Sequence, residues 1–470
     1  GLLLAGVMAI TSFLSAQSAA DGSDSEIDFS AALSATSSTT LLGATYANVP
    51  QPTNFDPYSI QLWVNPGPVA GNNSTTVDRA LINLEHKFAI VSRANTWQYY
   101  TGNGTSWYSG PTDTGIPIRA GQWTHIGLVM TATDIHFYVN GQHVHSQGSR
   151  QSSGANNSSA SGKYFGIGNW TSAATNVSSG SFFDCQVDEV RLWQSDRGLQ
   201  MSTDMHTRPT SPTTPAAYWD FNQGSGNVVH DRYGTANLSP QTSIVFQDVK
   251  RTSYVAGGDT VITFPRTYLP GIGGWKVPSN ANSFRALVVA GGGGGGGNAD
   301  GGGGGAGGVV EFQALSVSST IKIKVGQGGR SGLNTATVTN HGLNGQTSEL
   351  GSVIALGGGG GGGYGYPSNY DRALGYSGGS GGGHAEQDQN QAGATGTQAT
   401  DATTYPGGVE YGNAGGSIIP ASQAGSGGGG AGGAGGNASS FRVSGAGGAG
   451  MSSSITGTST FYAAGGGGAD

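Results

Sequence analysis

The chain has 470 residues, of which 88 are glycine, and only 10% of its residues are charged, giving a formal net charge of −7. Because no Lys- and Arg-rich stripe is present, the composition excludes nucleic acid as a partner. The single cysteine, Cys185, excludes an intrachain disulfide framework and a thiolate metal site. Its neighbours are typical of a strand, so we predict a buried thiol.

The first 20 residues carry no charge, and residues 2–16 are mostly apolar. This stretch is too short and too polar to span a membrane, which takes ~20 apolar residues. Small residues at Ser18 and Ala20 fit a cleavage site. We therefore predict a signal peptide that lacks its basic start, and hence secretion. The alternative is a short hydrophobic strand or helix.

Residues 21–250 contain several runs in which apolar and polar residues alternate with the period of a strand, at 58–64, 122–129 and 135–139. The last run meets residues 143–145 across Asn140-Gly141, and Asn-Gly is a strong hairpin signal because both turn residues need a positive φ. Many short strands separated by turns, without a helical period, predict an all-β sandwich.

Five motifs occur in order in this region: Gly121-Gln122-Trp123-Thr124-His125-Ile126, Phe137-Tyr138-Val139-Asn140-Gly141-Gln142, Tyr164-Phe165-Gly166-Ile167-Gly168, Val187-Asp188-Glu189-Val190-Arg191-Leu192-Trp193 and Ala217-Tyr218-Trp219-Asp220-Phe221-Asn222. With them, residues 26–240 resemble the laminin-G/pentraxin-like (concanavalin A-like) jelly-roll domains. The resemblance implies a two-sheet antiparallel sandwich. It does not identify a ligand, since such domains bind glycans, proteins or nothing known. The tryptophans inside these and the strand motifs are expected in the core, namely Trp63, Trp123, Trp193 and Trp219.

Hydrolysis of a glycoside needs two carboxyl groups roughly 5–9.5 Å apart. Asp184 and Asp188 share one face of a predicted strand, but four residues at ~3.3 Å each separate them by about 13 Å. Asp188 and Glu189 are adjacent, so we expect them on opposite faces. Neither arrangement makes an acid and nucleophile pair, and we predict that the chain is not an enzyme.

Metal binding is a second chemical role to consider. Relatives of this fold often hold calcium, so the resemblance implies calcium as a candidate cofactor. Calcium takes six to eight oxygen ligands, but the aspartates near turns show no calcium-loop spacing and also suit turn or capping roles: Asp56, Asp78, Asp113, Asp134 and Asp184. His143 and His145 are expected on one face of a strand, and without a third ligand we predict surface residues.

Aromatic residues within segments rich in Gly, Thr, Ser and Asn are the stronger binding signal. Aromatic faces stack on the C–H faces of sugars, and neighbouring polar side chains can bind hydroxyls. We predict ligand-binding roles for Trp97, Tyr100, Trp107 and Trp170. The alternative for all four is packing within the sandwich or at its rim.

Glycine dominates the second region, where 65 of the 88 glycines follow residue 250. The glycine runs begin at Gly291 and alternate with short apolar β segments. One interpretation is a disordered linker. The other is a bundle of polyproline-II helices, which have three residues per turn and no internal hydrogen bonds, and in which only glycine lets backbones approach closely. We predict the bundle, because a linker would not contain regularly placed β segments.

Residues 255–470 resemble the glycine-rich domains of bacterial surface proteins and phage tail-tip adhesins, in the motifs 286–291, 323–329, 355–359 and 462–465. The resemblance implies that loops between the runs contact a receptor. Tyrosine gives a large contact area at low entropic cost, so we predict ligand-binding roles for loop tyrosines Tyr366, Tyr370, Tyr376 and Tyr405. The alternative is that these loops are solvated connections.

The sequence thus predicts four segments: a truncated signal peptide at 1–20, a jelly-roll domain at 21–245, a β-rich connector at 246–290 and a glycine-rich domain at 291–470. It predicts a non-catalytic protein outside the cell, on the cell surface or on a virion, which binds glycans or cell-surface receptors. One alternative is a structural fibre component without a ligand. Another is ice binding, which the irregular loops and the lack of a triplet repeat disfavour.

Overall fold

The computed structural model describes residues 8–12, 29–33, 42–45, 49–50, 52, 56–68, 70, 74–108, 110–148, 164–173, 176–177, 182–223, 225–226, 228–240, 245–254, 259–269, 274–277, 281, 283–297, 300–316, 320–332, 340–363, 373–386, 392–398, 405–419 and 422–470. The chain divides into two units, Ile27–Asp248 and Gly1–Glu26 with Val249–Asp470. In these described ranges, no helix is long and apolar enough to cross a membrane.

Strand β1 (Met8–Ser12) belongs to the second unit. The first unit is built almost entirely of strands: β2 (Phe29–Leu33), β3 (Leu42–Thr45), β4 (Tyr58–Pro66), β5 (Arg79–Leu84), β6 (Phe88–Arg93), β7 (Thr96–Thr101), β8 (Thr112–Pro117), β9 (Thr124–Met130), β10 (Ile135–Val139), β11 (Gln142–Gln147), β12 (Tyr164–Ile167), β13 (Thr171–Ala173), β14 (Asn176–Val177), β15 (Cys185–Trp193), β16 (Ala217–Trp219), β17 (Ser239–Pro240) and β18 (Val245–Asp248). A single-turn 3-10 helix, Gly198–Gln200, leads into the short helix α1 (Met201–Asp204).

Two antiparallel sheets form a sandwich in this unit. One has eight strands in the order β11-β10-β9-β4-β15-β2-β18, with β16 also paired to β15, and the other has seven in the order β17-β3-β12-β5-β6-β7-β8. The core between them collects alternate residues of each strand, such as Ile60, Leu62 and Val64 of β4. The predicted all-β sandwich is therefore confirmed, and period two determines which side chains reach its core.

Local predictions within the sandwich are also confirmed. Strands β10 and β11 pair across Asn140-Gly141, whose φ angles are 53° and 75°, as an Asn-Gly hairpin turn requires. Cys185 is a buried free thiol. The four tryptophans expected inside are at most 4% exposed, but only Trp219 of the four belongs to the main core cluster, and Trp63, Trp123 and Trp193 lie outside it.

A bulge in β15 changes which of its residues face outward. The pairing with β4 shifts register between Asp188 and Arg191, and Glu189 has a φ of 53°. Val187 and Val190 both belong to the core, so the two acidic residues between them lie on the outer side of the sheet. The expectation that Asp188 and Glu189 point to opposite faces is therefore wrong, because a bulge breaks the alternation.

The segment around α1 covers this outer side. Trp63 Nε1 donates a hydrogen bond to the Met205 carbonyl at 3.0 Å, and Gln61 donates to the Asp204 carboxylate at 3.0 Å. A Cβ on Gly127 of β9 would lie 2.7 Å from the Met201 sulfur, so the covering segment packs directly onto the strand. The outer face of the eight-stranded sheet is thus largely buried.

The second unit contains further short strands: β19 (Arg251–Tyr254), β20 (Thr260–Phe264), β21 (Trp275–Lys276), β22 (Phe284–Val289), β23 (Val309–Leu315), β24 (Thr320–Ile321), β25 (Ile323–Lys324), β26 (Ser348–Leu350), β27 (Val353–Ala355), β28 (Gly408–Tyr411), β29 (Met451–Ser453) and β30 (Thr460–Tyr462). Its largest sheet has six antiparallel strands in the order β19-β20-β1-β22-β23-β28. The remaining strands pair in twos and threes: β21-β24, β25-β26-β27 and β29-β30.

The glycine runs hydrogen-bond to one another with a period of three. In the run 291–297, the N–H groups of residues 291, 294 and 297 donate to the carbonyls of residues 346, 343 and 340. Those of residues 293 and 296 donate to residues 305 and 302, while its carbonyls accept from residues 329, 332, 358 and 361. Three residues per turn, with every bond made to a neighbouring segment, is the pattern of packed polyproline-II helices. The predicted bundle is confirmed.

Close backbone contacts explain the glycines, and neighbouring positions differ enough for a test. A Cβ on Gly294 would lie 2.0 Å from the Arg330 carbonyl oxygen, whereas a Cβ on Gly295 would meet nothing nearer than 3.8 Å. We expect Gly294→Ala to destabilise the unit by about 1–3 kcal/mol through overpacking. Gly295→Ala should be neutral or slightly stabilising, because alanine restricts the unfolded chain.

The unfolding temperatures of both variants can be measured by thermal unfolding followed by circular dichroism. Equal effects of Gly294→Ala and Gly295→Ala would contradict the close packing of this run.

Strand β1 fills the space between β20 and β22, with five residue pairs on each side. This is the short hydrophobic strand that the sequence leaves as an alternative, while removal of residues 1–20 stays a prediction. A protein cleaved after Ala20 would lack this strand.

We expect deletion of residues 1–20 to lower the unfolding temperature of the second unit, because β20 and β22 each lose their backbone hydrogen bonds to β1. Deletion of residues 1–7, which precede β1, is the control. The amino terminus of the protein as its host produces it, read by mass spectrometry, decides whether β1 is retained. An unchanged unfolding temperature after the longer deletion would show that β1 does not support this sheet.

Candidate functional site

Three aromatic side chains from separate segments meet on the outer face of the seven-stranded sheet. The ring centroids of Tyr100 and Trp107 are 5.5 Å apart, those of Tyr100 and Trp170 are 5.5 Å apart, and those of Trp107 and Trp170 are 5.4 Å apart. All three rings are partly exposed. We call Tyr100, Trp107 and Trp170 the aromatic cluster.

Alternation along β7 decides which of its aromatic residues joins the cluster. Trp97 and Tyr99 face inward and belong to the core, while Tyr100 faces outward. Trp97 is 1% exposed and stacks on Phe183 at 5.6 Å, so it presents no face to a ligand. Its predicted ligand-binding role is wrong because period two places it with Tyr99 in the core.

Turn chemistry positions Trp107 in the loop between β7 and β8. The Asn103 side-chain oxygen accepts hydrogen bonds from the backbone N–H groups of Thr105 and Ser106 at 2.9 and 2.8 Å. Gly102 bridges to Trp107, and a Cβ at Gly102 would lie 2.5 Å from the His86 carbonyl oxygen. The tight turn directs the Trp107 ring onto the sheet, with its centroid 5.5 Å from that of His86.

Buried amides position Trp170 just after β12. The Asn169 side-chain oxygen accepts a hydrogen bond from the Trp170 N–H at 2.8 Å, and the Asn83 amide donates to the Asn169 carbonyl at 2.7 Å. Asn169 and Asn83 are both at most 1% exposed. The chain leaving β12 is therefore fixed to β5, which brings Trp170 over the sheet.

Small residues form the floor beneath the rings. Ala80 of β5 and Ala89 and Val91 of β6 are fully buried and pack against all three aromatic side chains. Larger side chains at these positions would occupy the space that the rings fill. The sequence therefore builds a flat apolar surface from two strands and covers it with aromatic residues.

A polar pair lies beside the rings. Arg93 donates two hydrogen bonds to the Asp78 carboxylate, at 2.6 and 3.2 Å, and the Tyr100 hydroxyl donates to the same carboxylate at 2.5 Å. Burial, followed by the Asp78 hydrogen bond and charge, raises the pKa of Tyr100. The hydroxyl thus stays protonated at neutral pH, and the Asp78 and Arg93 charges offset each other next to the apolar rings.

Asp78 and Arg93 are the site residues that the sequence reasoning missed. The sequence pattern predicts a turn or capping role for Asp78 and indicates no role for Arg93. The β5–β6 hairpin pairs Arg79 with Ser92, which places the residue before β5 beside the residue that ends β6. Two residues of opposite charge at the open end of a hairpin can be identified in a sequence, and their position predicts an ion pair across the two strands.

The four loop tyrosines predicted to bind a ligand differ in what the structure describes of them. Tyr366 and Tyr370 lie outside the described residues. Tyr376 is 40% exposed and its ring contacts that of His341 at 5.2 Å. The Tyr405 hydroxyl accepts a hydrogen bond from the Ile354 N–H at 3.0 Å, and its ring packs edge-on against Phe312. Ligand binding by Tyr376 and Tyr405 stays a prediction.

The histidines of β11 do not share a face. A register shift between β10 and β11 interrupts the alternation. The His143 ring contacts the rings of His136 and Tyr138, while the His145 ring contacts Tyr99. The expectation of a common face is therefore wrong.

Of two aspartates near turns, Asp113 bonds to the backbone two residues on, as turn chemistry predicts, whereas Asp134 bonds to a neighbouring side chain. The Asp113 carboxylate accepts a hydrogen bond from the Gly115 N–H at 2.9 Å, and that of Asp134 accepts one from the Thr133 hydroxyl at 2.5 Å. In the part of the chain that the structure describes, no group of three or more His, Cys, Asp or Glu side chains could hold a metal ion. Calcium binding stays a prediction.

The carboxylates of β15 are engaged in structural contacts. Glu189 is 1% exposed, forms an ion pair with Arg191 and accepts hydrogen bonds from the Tyr218 hydroxyl at 2.8 and 2.7 Å. Asp188 is fully buried and accepts a hydrogen bond from the Glu189 N–H at 2.6 Å. These contacts fix β15 to β16 and leave neither carboxylate facing solvent.

Comparisons with known proteins match both parts of the chain. Residues 41–200 match a laminin-G-type model of the concanavalin A-like lectin/glucanases superfamily, and residues 267–470 match the model of a glycine-rich domain. The two resemblances identified in the sequence are thereby confirmed. No curated protein matches the chain.

Several solved structures are similar to the chain. One is a putative carbohydrate-binding protein from Bacteroides ovatus, with 15% identity over 47% of this chain and 60% of that protein and a TM-score of 0.36. Another is a heptameric pentraxin from Limulus polyphemus, with 13% identity over 53% of this chain and 97% of that protein and a TM-score of 0.28. Domain 4 of an extracellular arabinanase from Geobacillus stearothermophilus shows 20% identity over 32% of this chain and 67% of that structure, with a TM-score of 0.24.

Proposed function

We propose that the concanavalin A-like domain of this two-domain chain binds a glycan through the aromatic cluster. The observation that carries the proposal is the meeting of Tyr100, Trp107 and Trp170 on one outer face of the sandwich. Three separate segments supply these rings, and turns and buried amides fix two of them. Partly exposed aromatic rings with fixed positions are more typical of a ligand-binding surface than of ordinary solvent-exposed surface.

The chemistry of the cluster fits a sugar. Aromatic rings offer apolar faces for the C–H groups of a pyranose, and their stacking needs no net charge. Asp78 and Arg93, paired at 2.6 Å beside the rings, offer a carboxylate acceptor and guanidinium donors for hydroxyl groups. A few polar groups around an apolar surface give orientation and specificity to a ligand site.

We propose that this binding is not followed by hydrolysis. Asp78 contacts the cluster through the Tyr100 hydroxyl and is engaged in an ion pair with Arg93. Asp188 and Glu189 lie in the other sheet and are engaged in buried contacts. Glycoside hydrolysis needs a pair of carboxyl groups on either side of the bond that breaks.

We further propose that the whole chain acts as a surface recognition protein, outside a cell or on a virion. The glycine-rich domain would present its intervening loops, among them Tyr376 and Tyr405, to a cell-surface receptor. The alternative functions are a structural fibre component without a ligand and ice binding. A glycan that binds at the aromatic cluster would favour recognition over both.

A glycan array probed with the full chain tests the proposal. We expect binding to at least one glycan, and we expect Trp107→Ala or Trp170→Ala to weaken it by about 2 kcal/mol, or roughly thirtyfold, because a central aromatic anchor is lost. Leu199→Ala is the control, since Leu199 is 94% exposed in the same unit and lies outside the cluster.

Parallel arrays with EDTA test the calcium prediction, since a bound calcium ion that supports the ligand would be removed. Binding to no glycan at all, or binding that survives both tryptophan substitutions, would contradict the proposed site.

A further inference from the structure

A cavity lies on the opposite side of the sandwich from the aromatic cluster. It has a volume of about 360 Å³ and is formed by the end of β15, by α1 with its preceding turn, and by the loop at residues 207–213. A volume of this order suits a small molecule. The aromatic cluster covers the seven-stranded sheet, whereas this cavity lies on the outer side of the eight-stranded sheet.

Three arginine side chains line the cavity, namely Arg191, Arg197 and Arg208. Each is fixed by a carboxylate: Arg191 by Glu189, Arg197 by Asp204 and Arg208 by Asp220. Of these three carboxylates only Asp204 lines the cavity itself. The lining therefore contains three guanidinium groups and one carboxylate, while Glu189 and Asp220 pair with Arg191 and Arg208 without lining the cavity themselves.

Further contacts hold these guanidinium groups in place. Arg191 donates to the Asp204 and Thr207 carbonyls at 2.6 and 2.9 Å. The Arg197 guanidinium lies 4.3 Å from the ring centroid of Trp193. Groups that are held in advance lose little conformational entropy when a ligand binds.

Two residues that line the cavity each carry a buried donor without an acceptor among the described residues. The donors are the indole Nε1–H of Trp193 and the Nε–H of Arg191. Their side chains are only 4% and 2% exposed. A buried donor without an acceptor costs about 1–3 kcal/mol, so an acceptor supplied by a ligand would recover that free energy. Indole and guanidinium groups cannot themselves accept hydrogen bonds.

Hydroxyl groups complete the lining, on Thr207, Thr210, Ser211 and Thr213. The cavity lining thus combines cationic donors with the hydroxyl-bearing residues of the loop at 207–213. Its chemical complement is a small molecule with a carboxylate and several hydroxyl groups.

We propose that this cavity binds an acidic monosaccharide unit, such as a uronic acid, by its carboxylate. The carboxylate oxygens accept hydrogen bonds from Trp193 Nε1–H and Arg191 Nε–H, with Arg197 supplying further positive charge. The sugar hydroxyls bind the threonine and serine hydroxyls of the loop. This site is additional to the aromatic cluster and does not depend on it.

Calorimetric titration of the full chain with glucuronate and with glucose tests the proposal. The two sugars differ in the carboxylate, and a hydrogen bond to a charged group is worth about 1.5–3 kcal/mol, so glucuronate should bind at least about tenfold more tightly. Equal affinity for the two sugars, or no binding of glucuronate, would overturn the proposal.

Trp193→Phe removes the indole N–H and keeps an aromatic ring beneath Arg197. We expect it to weaken glucuronate binding about tenfold. Val245→Ala is the control and should leave glucuronate binding unchanged, because Val245 is 57% exposed in the same unit and belongs to neither site. If glucuronate binding were lost with Trp107→Ala and kept with Trp193→Phe, glucuronate would bind at the aromatic cluster and not in this cavity.

Thr210→Val provides a second test if Trp193→Phe does not unfold cooperatively. It keeps the shape of the side chain and removes one hydroxyl that lines the cavity. We expect a loss of glucuronate affinity of about fivefold, in line with one neutral hydrogen bond. Unchanged affinity would exclude this loop from the site.

Discussion

The extra residue in β15 is the constraint on which the outer side of the eight-stranded sheet depends. Because the bulge at Glu189 keeps Val187 and Val190 in the core, Asp188, Glu189 and Arg191 all face the other way, and all are at most 2% exposed. Buried charges are tolerated only when they are paired and hydrogen-bonded. Glu189 and Arg191 pair with each other, and the segment that follows β15 adds the Asp204 and Thr207 carbonyls as acceptors for Arg191. The same segment closes the cavity around the arginines. Loss of one partner would leave a buried charge uncompensated, at a cost of about 3–5 kcal/mol.

The two outer sides of the sandwich therefore differ in chemistry. Over the seven-stranded sheet, Ala80, Ala89 and Val91 make a flat apolar floor for aromatic rings. Over the eight-stranded sheet, a bulged strand and a covering segment enclose guanidinium groups and unpaired donors. One side suits the neutral faces of a sugar and the other suits an acidic group. A single domain could in this way engage two different parts of a glycan.

Period two and turn signals made much of the sandwich predictable. They indicated β4, β9 and the Asn140-Gly141 hairpin, and the order of motifs identified the fold. The aromatic cluster was partly predictable, since three of the four predicted aromatic residues meet. The ligand-binding role predicted for Trp97 is wrong because alternation along β7 places its side chain in the core with Tyr99. The bulges at Glu189 and between β10 and β11 could not be predicted, because a single extra residue does not detectably change the composition or a short alternating pattern.

The second unit is stabilised by different interactions from the first. Its glycine helices bury peptide groups against peptide groups, as in the bonds from residues 293 and 296 to residues 305 and 302, with few apolar side chains between them. Exposure of apolar surface raises the heat capacity of the unfolded chain, whereas exposure of polar surface lowers it. The glycine bundle should therefore have a small heat capacity of unfolding and a flat stability curve, while the sandwich has the strongly curved dependence of an apolar core. Cooling would weaken the sandwich and leave the bundle almost unaffected.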